Sequence, residues 1–166
     1  MLLRCELPCI IAIHTVVTSN SIPQRSFRNM IRFQLHSQLE KDCFILGEFE
    51  LCQVLLMNDS QFPWFILVPK RADIREIYQL SADEQVILIQ ESSYLAEKLV
   101  TIFNADKLNI AAIGNIVPQL HLHHVVRYQT DKAWAMPVWG KFPATPYTEQ
   151  QLNDLKAKLT SIEFIA

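Results

Sequence analysis

The run Gln119-Leu120-His121-Leu122-His123-His124-Val125-Val126-Arg127 constrains this chain more than any other stretch. Three of its five histidines fall within four residues, inside an apolar, β-branched segment. In an extended strand, alternate side chains point to opposite faces. Gln119, His121, His123, Val125 and Arg127 then share one face, and Leu120, Leu122, His124 and Val126 share the other. This predicts a strand with a wet, chemical face and a dry face turned to the core, which is a site mounted on a rigid element.

The chain is long enough to build a core. It has 166 residues, half of them hydrophobic, which fits one domain of ordinary size. Its formal net charge of −2 supplies no basic footprint for nucleic acid. The four cysteines are Cys5, Cys9, Cys43 and Cys52, and their spacings are not those of paired zinc ligands. They predict a reduced, cytoplasmic setting.

Residues 1–29 differ from the rest of the chain. An apolar run, Ile10 to Val17, comes after Arg4, but Glu6 and Pro8 precede it and His14 interrupts it. The run is too short to span a bilayer and lacks a clean small-x-small cleavage site. Residues 1–29 are therefore read as a leader or as upstream sequence translated from an early start codon, with a well-patterned segment opening at Met30. Peptides from residues 5–25 in the natural protein would contradict the second reading.

From there the pattern becomes regular. Ile31, Leu35 and Leu39 recur at helical spacing. Residues 43–57 read as a hairpin turning at Gly47-Glu48. Asn58 to Gln61 reads as a loop, and Trp64 to Val68 as a third strand stopped by Pro69. Ser81 and Glu84 form a capping box opening a helix to about Asn104. Its apolar stripe is read as Val86, Ile89, Leu95, Ala96, Leu99, Val100 and Phe103. Leu108 to Ile113 is a fourth strand and Leu120 to Arg127 a fifth. Residues 128–147 read as an extended tail lying over the domain. A second capping box, Thr148 to Gln151, opens a terminal helix presenting Leu152, Leu155 and Leu159. The order predicts an α+β fold with a mostly antiparallel five-stranded sheet, a long central helix and a C-terminal helix. The organisation is 1–29 leader, 30–140 main domain, and 141–166 C-terminal tail and helix.

Two chemistries suit the histidines. His121 and His123 on one strand face resemble a two-ligand zinc unit, but a third ligand would have to come from elsewhere, and the strand carries no Asp or Glu. Alternatively, a neutral imidazole is a good nucleophile near neutral pH. It can attack phosphorus if its other nitrogen is held by a carbonyl and nearby donors stabilise the charge on the phosphoryl oxygens. His123, Gln119 and Asn115 are donors in the right neighbourhood.

Residues Gly114-Asn115-Ile116-Val117-Pro118-Gln119-Leu120-His121-Leu122-His123 resemble the signature of the histidine triad superfamily. That signature is three histidines alternating with apolar residues after a Gly-Gln segment. Asn58 after the apolar strand, the run Phe65 to Arg71, the long helix and Asn109 extend the likeness over roughly Phe33 to Trp139. The resemblance implies a sheet with flanking helices, pairing of two copies through the long helix and adjacent strand, no cofactor, and no metal. It implies cleavage at the α-phosphate of nucleoside phosphoramidates or dinucleoside polyphosphates through a covalent nucleotidyl-histidine. By position, His121 is the nucleophile, His123 polarises the phosphate and Gln119 occupies the first triad position. Asn58, Asn109 and Asn115 match residues near ribose and phosphate, and Phe44, Ile45 and the Leu55 region match the base pocket.

The departures suggest a divergent branch. Gln119 stands in place of histidine, Asn115 in place of glutamine, and Ile116 where a hydroxyl residue often touches phosphate. Trp64 replaces a histidine common before the third strand. His124, on the dry face, is read as a neutral, hydrogen-bonded core residue. His14 and His36 are read as solvated. The alternatives are a nucleotide-binding or scaffold protein with little activity, favoured by Gln119, Ile116 and Trp64, and a metal-dependent enzyme using the His121–His124 strand.

Overall fold

A computed structural model describes residues 33–165. The 1–29 leader with His14, the opening at Met30 and the helical position Ile31 lie outside the described residues.

Five strands form one antiparallel sheet: β1 (Cys43–Glu48), β2 (Cys52–Met57), β3 (Trp64–Pro69), β4 (Lys107–Ala111) and β5 (Leu122–Arg127). Their spatial order is β1-β2-β3-β5-β4. Among the described residues, three α-helices accompany it: α1 (Ser37–Asp42), α2 (Ala82–Phe103) and α3 (Glu149–Lys158). The α+β expectation holds. The histidine strand is flanked on both sides, since β3 pairs Ile66 with His123 and β4 pairs Ala111 with His123. A strand held by two neighbours cannot slip register without turning its core face outward.

The sheet separates two cores, as the alternation in β5 requires. Leu120, Leu122 and Val126 join Phe65, Leu88 and Leu95 on the side covered by α2 and α3. Val125 joins Trp64, Ile66, Ala133 and Val138 on the other side. Residues 128–147 contain no helix or strand and lie over this second face, as expected of the tail. The expected wet face is therefore covered: His121 and His123 are each 5% exposed and Arg127 is 1% exposed.

Three local expectations are corrected. The short first helix opens only at Ser37, leaving Leu35 outside it, because His36 adopts extended backbone and caps α1, its Nδ1 accepting the Gln38 N–H. The hairpin does not turn at Gly47-Glu48. Gly47 lies within β1 next to a register shift, and the chain turns through Phe49 to Leu51. The stripe of α2 is rotated: Leu88, Glu91, Ser92, Leu95 and Leu99 are buried, whereas Val86, Ile89 and Val100 are exposed. Two polar residues displace the apparent periodicity. The Glu91 carboxylate accepts the Leu51 and Cys52 N–H groups at 2.6 and 3.0 Å, closing the hairpin turn. Ser92 bonds His124 at 2.8 Å. Charge-assisted bonds of the Glu91 kind contribute about 1.5–3 kcal/mol each.

Both capping boxes form as read. Ser81 and Glu84 cap α2, which ends at Asn104 in the left-handed conformation, and Thr148 and Gln151 cap α3. The last residues return to the sheet, where Ile165 bridges to Glu48. This return explains the glycine in β1: a Cβ on Gly47 would stand 2.6 Å from the Phe164 ring.

The Gly47→Ala variant is expected to lose about 1–3 kcal/mol by overpacking. Adding Phe164→Ala should leave Gly47→Ala with little further cost, as measured by chemical denaturation. Equal penalties for Gly47→Ala with and without Phe164 would contradict this account.

Candidate functional site

The centre of the site is the entry to β5. Here Leu120 donates its N–H to the Ile74 carbonyl at 2.8 Å, pinning the segment after β3 against the histidine strand. One residue later, His121 Nδ1 meets the Gln119 backbone carbonyl at 2.6 Å. A carbonyl only accepts, so Nδ1 carries the proton and the Nε2 lone pair remains available. Burial holds His121 below the ordinary imidazole value; the Gln119 carbonyl opposes this, and the nearby His36 ring adds to it. His121 is thus neutral, in one tautomer, near neutral pH.

His123 is fixed from the opposite side. The Trp64 indole donates to His123 Nδ1 at 2.9 Å. An indole N–H cannot accept, so His123 carries its proton on Nε2 and is a neutral donor. Burial pushes it down to about 3; the His121 and His124 rings add to the shift and the Ile113 backbone opposes it. The rings of His121 and His123 meet edge to face with centroids 4.7 Å apart. Trp64 and Trp139 pack against His123 at 5.4 and 5.6 Å. The two neighbouring rings therefore present opposite chemistry, a lone pair on one and a hydrogen on the other.

His124 sits on the α2 side, fully buried, between Ser92 and the Leu122 carbonyl. Burial pushes it to about 4, with its two hydrogen-bond partners opposing. It is the neutral core residue read from the sequence.

His121, Gln119 and Asn115 are brought together. They line a cleft of about 370 Å³ with Arg75, Glu76, Ala112, Ile113, Gly114 and Leu120. The side chain of Gln119 does not reach toward a ring. Its oxygen accepts the His36 N–H at 2.9 Å and its nitrogen donates to the Gln34 carbonyl at 2.9 Å. Gln119 thus orients His121 through its backbone and ties the segment before α1 through its side chain. His36, read as solvated, is half-buried and caps α1.

Asn109 and Asn58 lie elsewhere. Asn109 accepts from Arg127 and lines a separate groove of about 470 Å³ with Ala135, Pro137 and Trp139. Asn58 accepts the Tyr147 N–H at 2.9 Å and so anchors the C-terminal segment. Of the base-pocket residues, Ile45 pairs with Leu55, Leu55 with Ile66, and Ile66 with His123, so these share a face. Phe44 packs in the opposite core. Arg127, fully buried, holds Asp131 at 2.7 and 3.0 Å under the tail.

Sequence reasoning missed two residues. Trp64 reads as a departure rather than as a donor, although its pairing with Val125, two residues from His123, puts it on the same sheet face. Arg75 gives no signal, because its segment reaches the cleft through tertiary contacts, the bond between Leu120 and Ile74 and the packing of Ile74 on the core. Among the described residues, no group of three or more His, Cys, Asp or Glu is placed to hold a metal ion.

The family model described as the HIT domain matches residues 38–130. A histidine triad protein from Marinobacter aquaeolei VT8 is 57% identical; the match covers 78% of this chain and 94% of that one, with a TM-score of 0.76. A histidine triad protein from Sinorhizobium meliloti 1021 is 42% identical over 76% of this chain and 94% of its own, with a TM-score of 0.75. One from Bradyrhizobium japonicum is 39% identical over 77% and 96%, with a TM-score of 0.76. No curated protein matches the chain.

Two measurements check this geometry. Trp64→Phe leaves His123 Nδ1 buried without its donor, at a cost of about 1–3 kcal/mol. The ¹⁵N spectrum of the His123 ring should then change from a single Nε2–H tautomer to a mixture; an unchanged spectrum would contradict the assignment. Stability should also fall as pH drops below the ordinary histidine range, because unfolded His123 and His124 take up protons that the folded rings refuse until about 3 and about 4. Denaturant midpoints that stay level between pH 7 and pH 4.5 would contradict it.

Proposed function

The chain belongs to the histidine triad family, and from that premise we propose that it is a nucleotide hydrolase or nucleotidyl transferase working through a covalent nucleotidyl-His121. The single observation that carries this reading is the 2.6 Å contact between His121 Nδ1 and the Gln119 carbonyl, beside an open cleft. It leaves one uncharged nitrogen lone pair at the cleft wall, which is what a phosphorus nucleophile needs.

In this mechanism His121 Nε2 attacks the α-phosphorus of a nucleoside phosphoramidate or dinucleoside polyphosphate and expels the leaving group. His123 Nε2–H donates to a non-bridging oxygen and stabilises the charge that develops there. Asn115 adds a neutral donor at the cleft rim. Asn109 and Asn58, which the resemblance puts near the ribose, stand away from this cleft with their oxygens held by Arg127 and Tyr147, and they enter no step at His121. Water then releases a nucleoside monophosphate. No cofactor or metal enters the mechanism.

A second reading, a nucleotide-binding protein with little turnover, is favoured by one observation. Each end of the Gln119 amide is bonded to a backbone group, the oxygen to His36 and the nitrogen to Gln34.

The assignment extends to setting and assembly. Cys43 and Cys52 are free thiols, in keeping with a reducing cytoplasm. Among the described residues, no helix is long and apolar enough to cross a membrane. Val86, Ile89 and Val100 on α2 and Ile110 on the edge strand β4 are exposed apolar side chains. They form the surface through which a second copy docks.

His121→Ala should lower kcat on diadenosine triphosphate by about a thousandfold or more, since nothing replaces a covalent nucleophile. The wild type should yield an acid-labile nucleotide adduct in intact-mass spectra that the variant lacks. Retention of activity within a few-fold would end the covalent reading; nucleotide binding by calorimetry without turnover would select the second. Ile89→Glu should convert a dimer to a monomer in light scattering, and a monomeric wild type would refute the assembly.

A further inference from the structure

A buried ion pair stands on the histidine face without a step in the chemistry at His121. Arg127 shares its face of β5 with His123 and is 1% exposed. Its guanidinium is divided between two elements. It donates to both oxygens of Asp131, at 2.7 and 3.0 Å, and to the Asn109 side chain on β4. A buried pair of this kind is poor support for stability, because apolar residues of similar volume often replace it without loss. What a two-pronged contact between Arg and a carboxylate does supply is a fixed geometry.

That geometry is passed to the tail. Asp131 also accepts the Tyr128 and Ala133 N–H groups, at 3.3 and 2.9 Å. The carboxylate that holds Arg127 therefore forms the turn that sends the following residues back over the sheet. Burial pushes the Asp131 carboxyl up, but the bonds from Arg127, Tyr128 and Ala133 outweigh it and hold the group below the usual carboxylate range. The Trp134 ring lies over the guanidinium at 5.8 Å. Beyond the turn, Ala133 and Val138 are buried on the second face. Trp139 leans on Trp64 at 5.5 Å and on His123 at 5.6 Å. It thus touches both partners of the hydrogen bond that keeps the His123 proton on Nε2. The far end of the tail is tied separately, Thr145 to Asp59 and Ser60, and Tyr147 to Asn58.

We propose that Arg127 and Asp131 are positioning residues of the phosphoryl site, holding Trp139 over His123 so that its Nε2–H stays aimed and dry. Asn109 belongs to this cluster as the second acceptor of Arg127. The inference rests on the reading of His123 as the donor to a phosphoryl oxygen. With the tail in place, burial, with the His121 and His124 rings beside it, keeps the His123 ring neutral down to about 3. With the near tie cut, water reaches Nδ1 and competes with the indole. The ring then takes up protons in the ordinary histidine range and divides between two tautomers. A donor aimed for only part of the time stabilises the charge at phosphorus less, while substrate binding changes little.

The test replaces the pair in the full chain by the double variant Arg127→Leu with Asp131→Leu, which leaves neither charge unpaired. The variant's His123 ring, followed by its ¹⁵N resonances, should titrate in the ordinary histidine range, where the wild-type ring stays neutral. Its kcat on diadenosine triphosphate should fall about tenfold or more, with KM within about threefold of wild type. Trp139→Leu should give both changes, and adding it to the double variant should change little more. A folded double variant in which His123 titrates as in the wild type overturns the proposal, whether or not kcat falls. Where the double variant does not fold, Asp131→Asn takes its place, with the same expectations and the same ground for rejection. The ring titration needs no turnover. His121→Ala activity equal to wild type therefore overturns the covalent reading, and the titration by itself then upholds or overturns the hold of Arg127 and Asp131 on His123.

Discussion

The hydrogen bond from His121 Nδ1 to the Gln119 carbonyl sets the chemistry of everything around it. An imidazole free to choose its tautomer divides its lone pair between two nitrogens. A backbone acceptor two residues earlier removes the choice, and a backbone group neither titrates nor rotates away. That bond exists because residues 119–121 run into a strand flanked on both sides. The strand in turn is held by Ile66 and Ala111, which pair with His123, and by the bond from Leu120 to Ile74. Fold stability and the orientation of the His121 ring therefore rest on the same set of contacts.

Burial makes the second histidine usable. Solvated rings beside one another would share protons and compete for them. Here the tail residues Ala133, Val138 and Trp139 cover the face, and desolvation favours the neutral form of both rings. Trp64 then decides which nitrogen of His123 carries hydrogen. A histidine in that position could donate or accept according to pH; an indole can only donate. The exchange puts a fixed donor where a titratable partner would stand.

The sheet is legible in the sequence because its signals are local and periodic. The alternation in residues 119–127 sorts both cores correctly, and the two Ser/Thr–x–x–Glu/Gln boxes place the starts of α2 and α3. The features that escape a sequence reading are tertiary. Glu91 and Ser92 interrupt the buried side of α2, so apolar periodicity points to Val86, Ile89 and Val100 instead. Nothing in the neighbourhood of position 91 announces that its carboxylate closes a turn some forty residues earlier. The hairpin turn is displaced for a related reason: Gly47 has the composition of a turn residue, yet its role is to make room for Phe164 from the far end of the chain. His121 and His123 stand out from spacing; their tautomers do not, because those depend on a carbonyl geometry and on the cross-strand neighbour Trp64.

Gln119 joins these themes. A histidine at its position would add a third ionisable ring to a covered face that already carries two. Glutamine keeps the backbone carbonyl that His121 needs and commits its side chain to Gln34 and His36, fastening the segment that leads into α1. Orientation of the His121 ring thus survives the exchange, while an ionisable side chain at position 119 does not. The His121 ring therefore keeps its tautomer through a main-chain contact alone, one that no side-chain exchange at position 119 removes.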